Sequence, residues 1–311
     1  MGDVSELLPV EIGRVERMVT LRGFPGWAEL SSSELATLAE ISRACTAKAG
    51  SVVIPLGGPV DASYSIVEGC LIARRNGESL GRYGPGTAVG GLAAFSKETE
   101  GYEVIAESDT TMLEMAVADL EEVFEDRFRV LSLVMRELSR QALGLRRSLV
   151  PLAGYPPEAQ TGAACPARSL DLVERIFYLR KNLEMSEDVI DSVAVLAKSA
   201  KEVRLGPGEW LWRVGDKPDH VFALLCGRVV CSSPEGHLFE LGAGDLAGTL
   251  DATADVPRWY ACQVVDGVVG LILPTGVMMD VLEDHTDLAL KLLSGFSRQV
   301  LRLLALHPRG S

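Results

Sequence analysis

Runs of basic residues are missing from this chain, which sets 30 Lys and Arg against 43 Asp and Glu for a formal net charge of −13. Its cations gather only in pairs such as Arg74-Arg75 and Arg146-Arg147. A nucleic-acid binder needs a basic face, so nucleic acid is not an expected partner. Long apolar runs are missing too, and no stretch approaches the ~18 residues of a spanning helix. The start, Met1-Gly-Asp-Val-Ser-Glu-Leu7, lacks the basic head and apolar core of a signal peptide. No membrane insertion is expected, and the simplest placement is cytoplasmic. The six cysteines (Cys45, Cys70, Cys165, Cys226, Cys231, Cys262) show neither C-x-x-C spacing nor histidines at ligand spacing. Most read as small buried apolar residues rather than metal ligands or disulfide partners. His220, His237, His285 and His307 are scattered without acid or nucleophile partners in sequence, and there is no Ser-His-Asp or P-loop pattern. The expectation is a protein with no catalytic residues and no metal.

What is present is the composition of a folded protein, with 47% hydrophobic and 23% charged residues over a length of 311, enough for two domains of ordinary size. A short helix is expected through Val10–Met18. Ser31-Ser-Ser-Glu34 followed by Leu35, Leu38 and Ile41 reads as a capped helix. From Cys45 to about Met115 the pattern is short β-rich runs, such as Ser51–Ile54, Tyr64–Val67 and Gly101–Ala106, punctuated by glycine and proline. Helical spacing returns after Ala118, with Phe128, Leu131, Val134, Leu138, Ala142, Leu145 and Leu149 in one stripe.

Residues 151–169 hold Pro151, Pro156, Pro157, Pro166, Gly154 and Gly162, and read as a linker. Beyond it the same order recurs: helix from about Leu170 to Ala200, β-rich runs from Val203 to Leu273, and a final helix. The recurrence holds one offset, 158, the difference between Gly208 and Gly50. Leu38-Ala39 matches Leu196-Ala197, and Gly57, Gly69, Gly84, Gly86 and Gly90 match Gly215, Gly227, Gly242, Gly244 and Gly248. Leu92 matches Leu250, Tyr102 matches Tyr260, and Ser139-Arg-Gln matches Ser297-Arg-Gln; only the hairpin around Gly77 and Gly236 slips by a residue. Turn glycines in constant register mark a duplicated fold. The domains are expected at 1–150, with 1–23 as an extension, and at 170–311.

Each half resembles a cyclic-nucleotide-binding domain, the β-roll with flanking helices of catabolite activator proteins and kinase regulatory subunits. The resemblance rests on Gly50, Gly57, Gly69, Gly84-Pro-Gly86 and Val89–Phe95, and on Pro207-Gly208, Gly215, Gly227, Gly242-Ala-Gly244 and Gly248-Thr-Leu through Pro257-Arg258. It covers roughly residues 24–149 and 172–305, and implies an α+β, mainly β fold of two β-roll or jelly-roll domains. The family's phosphate-binding cassette runs Gly-Glu-Leu-Ala, a short loop, then Pro-Arg-Ala. Its glutamate meets the ribose hydroxyl and its arginine the cyclic phosphate. In the second half this makes Gly248, Thr249, Leu250, Arg258 and Trp259 the candidate ligand pocket, with threonine at the glutamate position and tryptophan at the small one. An indole there can fill the space meant for base or ribose. Asp251 and Asp255 lie close enough in sequence to neutralise Arg258, so it is either an ion-pair partner or a ligand contact. In the first half Gly91 and Glu100 stand at the glutamate and arginine positions, and a carboxylate there reverses the sign of the interaction.

Two functional readings follow. One is a non-enzymatic regulatory or scaffold protein of two degenerate cyclic-nucleotide-binding-like domains, without cofactor. It would act through protein contacts or as a homodimer, by way of helices expected at 117–149 and 277–306. The other is a sensor binding a cyclic nucleotide, or another phosphate ligand, in the second domain alone. A transcription factor of the activator type is not expected, because only His307–Ser311 remains for a winged helix.

Overall fold

A computed structural model describes residues 7–75, 78–97, 102–149, 165–182 and 190–306; Gly77, Glu100, His307 and most of the expected linker lie outside them. The chain divides into two compact units, Met1–Leu138 with Leu290–Ser311, and Ser139–Ala289. The divisions fall inside the last long helix of each repeat.

The first repeat opens with β1 (Leu8–Pro9), α1 (Arg14–Arg22), a 3-10 turn and α2 (Ser32–Ile41). It continues through β2 (Arg43–Ala47), β3 (Val52–Ile54), β4 (Ala62–Glu68), β5 (Leu71–Arg75), β6 (Glu78–Tyr83), β7 (Ala88–Val89), α3 (Gly91–Ser96), β8 (Glu103–Ala106) and β9 (Thr110–Ala116), and closes with α4 (Val117–Asp126) and α5 (Phe128–Ser148). The second repeat begins with α6 (Leu172–Asn182) and α7 (Ile190–Ser199). Its strands are β10 (Lys201–Leu205), β11 (Trp210–Trp212), β12 (His220–Cys226), β13 (Arg228–Ser232), β14 (Leu238–Gly242) and β15 (Leu246–Ala247), then β16 (Ala261–Val264) and β17 (Val268–Pro274) beyond α8 (Thr249–Ala254). It ends in α9 (Thr275–Asp284) and α10 (Thr286–Leu306).

Adding 158 to the bounds of α2, β2, β3, β4, β7, α3, β8, β9, α4 and α5 reproduces those of α7, β10, β11, β12, β15, α8, β16, β17, α9 and α10. The β5–β6 hairpin is the exception, where the sequence register slips. Strand order repeats as well. The first repeat has sheets β1-β2-β9-β4-β7 and β3-β8-β5-β6, the second β10-β17-β12-β15 and β11-β16-β13-β14, with every pairing antiparallel. Even the irregularities correspond: the β4–β9 register shifts between Ile66 and Glu68, and β12–β17 between Leu224 and Cys226. These are the two mainly β, helix-flanked rolls that the family resemblance implies. The first packs around Ile66, Leu71, Val104 and Met112, all fully buried.

Helix α2 starts as its capping pattern predicts, with Ser31 Oγ accepting from Glu34 N and the Glu34 carboxylate accepting from Ser31 N. Three expectations need correcting. The N-terminal helix runs over Arg14–Arg22 rather than from Val10. Neither long helix is continuous: α4 gives way to α5 at Arg127 (φ −141°, ψ 75°), and α9 to α10 at His285 (φ −133°, ψ 77°). No proline or glycine marks these breaks. The shorter helix must bury Leu120, Val123 and Phe124, or Met278, Val281 and Leu282, against its own repeat before the chain turns away, and packing overrides propensity.

The third correction concerns cysteine. Cys165 and Cys226 form a disulfide, and their separation of 61 residues hides the pairing from any reading of local spacing. Cys231 and Cys262, both buried and paired across β13 and β16, remain thiols 3.6 Å apart. Non-reducing peptide mapping is expected to recover a Cys165–Cys226 crosslink, and Cys226→Ser to lower the stability of the oxidised protein by about 2–4 kcal/mol in denaturant titration. Equal stability of variant and parent would show that the crosslink constrains nothing.

Candidate functional site

The cassette of the second repeat is built on a left-handed glycine. Gly248 (φ +80°) ends β15 and caps α8, and Asp255 (φ +52°) ends α8 in the same conformation. The six-residue helix then returns through Pro257, which carries Arg258 back beneath it. Among the described residues Arg258 is one of the largest fully buried side chains. Its Nη1 donates to Gly248 O at 3.0 Å and meets Asp251 Oδ2 at 3.4 Å, and its Nη2 donates to His220 O. The guanidinium lies 4.2 Å from the Trp212 ring centroid, a cation–π contact on the remaining face. A β-carbon on residue 248 would stand 2.2 Å from Nη1, so glycine is needed here for both its φ and its lack of a side chain.

Of the two nearby acids, Asp251 pairs with the arginine, whereas Asp255 is exposed at the helix end. Burial drives the Asp251 carboxyl up to about 6, and the attraction of Arg258 offsets only part of that cost. Arg258 Nε and Asp251 Oδ1 themselves, Trp212 Nε1 beside them, and Thr249 Oγ1 and Thr253 Oγ1 on α8 are buried without a hydrogen-bond partner.

Trp259 does not lie against the guanidinium. It stacks on Phe239 with centroids 6.0 Å apart, meets Tyr260 and His237 edge-on, and has Arg146 over its ring. The indole beside Arg258 is Trp212, and its place two residues after Trp210 in a strand gives no sign of that role. Of the candidate residues, Gly248 and Arg258 are brought together, Thr249 and Leu250 open α8 with Leu250 buried, and Trp259 joins an aromatic cluster that reaches Trp212 through Tyr260. One histidine does have an acid partner, against expectation: His220 Nδ1 lies 2.6 Å from Asp219. Trp212, rather than a hydroxyl or thiol, packs against that ring.

The first repeat fills the equivalent space differently. A β-carbon at Gly90 would meet Ala62 O at 2.6 Å, Ile54 Cδ1 at 3.3 Å and Val60 Cγ1 at 3.4 Å. Ile54 stands where the second repeat has Trp212, so aliphatic side chains line the position. Gly91 faces Ser63, and Glu100 lies outside the described residues. A cavity of about 470 Å³ in this unit is lined by Asp61, Glu114 and Glu121 against Lys97, a charge balance that disfavours a phosphate.

Residues 45–127 match the family described as "Cyclic nucleotide-binding domain". That stretch lies in the first repeat, and the second repeat reproduces its strand and helix order. An uncharacterized NTE family protein of Mycobacterium tuberculosis (strain ATCC 25618 / H37Rv) is 30% identical over 92 residues, as is one of Mycobacterium bovis; the match covers 29% of this chain and 16% of those proteins. Among solved structures, the regulatory domain of Toxoplasma gondii PKA with cAMP aligns over 88% of this chain and 95% of its own at 16% identity and a TM-score of 0.34. The N-terminal domain of a transcriptional regulator from Streptomyces coelicolor A3(2) aligns over 41% and 91% at 28% identity and a TM-score of 0.34. Among the described residues no helix is long and apolar enough to cross a membrane, and no group of three or more His, Cys, Asp or Glu is placed to hold a metal.

Proposed function

We propose that the chain is a non-enzymatic regulatory or scaffold protein whose cassettes no longer answer to cyclic nucleotides, and which acts through protein contacts. The match at 45–127 supports the regulatory class. The observation that carries the finer reading is the commitment of the Arg258 fork to Gly248 O, His220 O, Asp251 and Trp212 within its own unit. A phosphate would have to displace Asp251 and break carbonyl contacts already made, with little net gain in hydrogen bonds. The reading includes no nucleic-acid partner, given the absence of basic runs. It also includes the cytoplasm, against which the Cys165–Cys226 bond weighs, since reducing compartments keep such thiols open.

The buried atoms without partners favour a second reading, in which the second repeat alone takes a cyclic nucleotide or other phosphate ligand. A melting titration separates the two. A ligand present at 100 times its Kd would add about 2.7 kcal/mol, a shift of several degrees. The scaffold reading expects no shift with millimolar cyclic AMP or cyclic GMP. A shift that Arg258→Lys removes, since lysine keeps the charge but loses the fork, would overturn it in favour of the sensor.

A further inference from the structure

Two of the free cysteines face each other. Cys231 on β13 and Cys262 on β16 are direct partners in the antiparallel register, and their sulfurs lie 3.6 Å apart. Both residues are fully buried. Residues opposed in this way hold their Cα atoms about 4.5–5.5 Å apart, inside the range that a disulfide spans. The sulfurs need to approach by about 1.5 Å to reach bonding distance, which rotation of the two side chains supplies. The duplication shows that the roll itself does not ask for sulfur here. Subtracting the offset gives Ala73 and Val104, which pair across β5 and β8 in the same register and are also buried. One cysteine in a core is a small apolar residue that needs no account. Two of them, at both positions of a register pair where the other repeat has alanine and valine, form a dithiol.

We propose that Cys231 and Cys262 are a redox pair that closes to a cross-strand disulfide by exchange with a small-molecule disulfide, and that the bond locks the segment carrying the cassette of the second repeat. In the first step the thiolate of one cysteine attacks a sulfur of the small disulfide, which gives a mixed disulfide on the protein and one released thiol. The thiolate of the other cysteine then attacks the protein sulfur of the mixed disulfide and releases the second thiol. The pair loses two electrons and two protons, and the small disulfide gains both on becoming two thiols. The same unit holds the Cys165–Cys226 bond, and an environment that oxidises those thiols contains oxidants of this class. Burial keeps the reagent out and pushes the Cys231 thiol up, so exchange proceeds when the β13–β16 pairing opens rather than in the closed sheet. Topology gives the bond its effect. β13 and β16 are the two inner strands of the sheet β11-β16-β13-β14. The cysteines are 31 residues apart, and the segment between them carries β14, β15, α8 and Arg258. Once bonded, the strands at its two ends cannot part, and the cassette is held in a closed loop. The inference is independent of the scaffold reading, because neither nucleotide nor partner takes part.

The test incubates the full chain with oxidised glutathione, in buffer and in denaturant just below the unfolding transition, then traps free thiols by alkylation and maps the peptides without reduction. The expected product is a Cys231–Cys262 peptide pair, lighter by two hydrogens than the two thiol peptides together. It is expected to form at least about tenfold faster in the denaturant, where β13 and β16 open. Both thiols are expected to disappear together while the Cys165–Cys226 pair persists. Cys262→Val is expected to leave Cys231 as a mixed disulfide with glutathione, since the second step needs the facing sulfur. Glutathione treatment is expected to raise the melting temperature of the wild type by several degrees, and to leave unchanged that of Cys231→Ala with Cys262→Val, which copies the first repeat. The mapping is made on the wild type, so it stands whether or not the variants fold. Two alkylated thiols after prolonged incubation in the denaturant overturn the inference, as does pairing of either cysteine with Cys45, Cys70 or Cys226. A Cys231–Cys262 bond that leaves the melting temperature unchanged overturns the lock.

Discussion

Arg258→Ala is expected to lower the stability of the second unit at pH 7 by about 3–5 kcal/mol, the usual cost of breaking a buried ion pair from one side. The substitution strands the Asp251 carboxylate in a site that is 1% exposed, removes the Arg258 donor from His220 O, and leaves Gly248 O with only the Ala252 N–H. Trp212 also loses the cation against its face. The penalty is expected to shrink at pH 5, where Asp251 takes up a proton and the stranded charge disappears. The wild type has its own pH signature. The folded carboxyl holds its proton up to about 6 against an ordinary value of 3.8. Between those values the native state binds more protons than the unfolded one, so stability falls as pH rises through the window and the full loss is present above it. The size of the effect is on the order of 3 kcal/mol, from 1.36 kcal/mol per pKa unit. The charges that act on Asp251 are Arg258 and, more weakly, Arg146. Asp251→Asn removes the titrating group and is expected to flatten the profile from pH 4 to 6. Denaturant titrations at pH 4, 5, 6 and 7 check both variants. A wild-type profile as flat as that of Asp251→Asn would mean that the carboxylate is solvated in the folded protein, contrary to its burial here.

This polar cluster also marks where the sequence was legible and where it was not. The duplication could be read because turn glycines need positive φ, and nothing but glycine supplies it cheaply. Gly50, Gly57, Gly69, Gly86 and Gly90 and their partners 158 residues on all adopt it. Lys97 and Asp255 hold the same conformation without being glycine, so no composition signal flagged them. The pairing of Asp251 with Arg258 could be read as one of two options, because seven residues across a short helix and turn bring them near. The place of Trp212 could not, since it depends on which face of β11 meets the cassette. Arg17 and Arg175, which pin the opening helix of each repeat by donating to Ser42 O and Ala200 O, follow the same offset as the glycines. They are legible only when the helices ahead of the rolls are included in the comparison. The breaks at Arg127 and His285 and the Cys165–Cys226 bond are decided by tertiary packing over distances that local patterns do not span.

Gly69→Ala and Gly227→Ala are expected to destabilise their own units by similar amounts, about 2–5 kcal/mol each, and their similarity is the sharper claim. Both glycines follow a central strand of their roll with φ near +90° and +82°. A β-carbon at Gly69 would stand 2.4 Å from Asp109 O, and one at Gly227 would stand 2.3 Å from Gly267 O, the carbonyl 158 residues further on. Left-handed backbone costs an L-residue about 1–2 kcal/mol. Forcing a methyl group against a fixed carbonyl adds about 1–3 kcal/mol more, because the turn before β9 or β17 must shift and carries the strand with it. A flexible side chain would give way; backbone in a paired strand does not. Gly50→Ala and Gly208→Ala make the controls. They share the positive φ but have nothing within 4 Å of the added carbon, so only the conformational part should remain. If the two repeats are copies of one roll at the level of atoms, the four variants fall into two matched pairs in denaturant titration. A large cost at Gly69 with none at Gly227 would show that the second turn relaxes where the first is fixed, and would confine the duplication to topology.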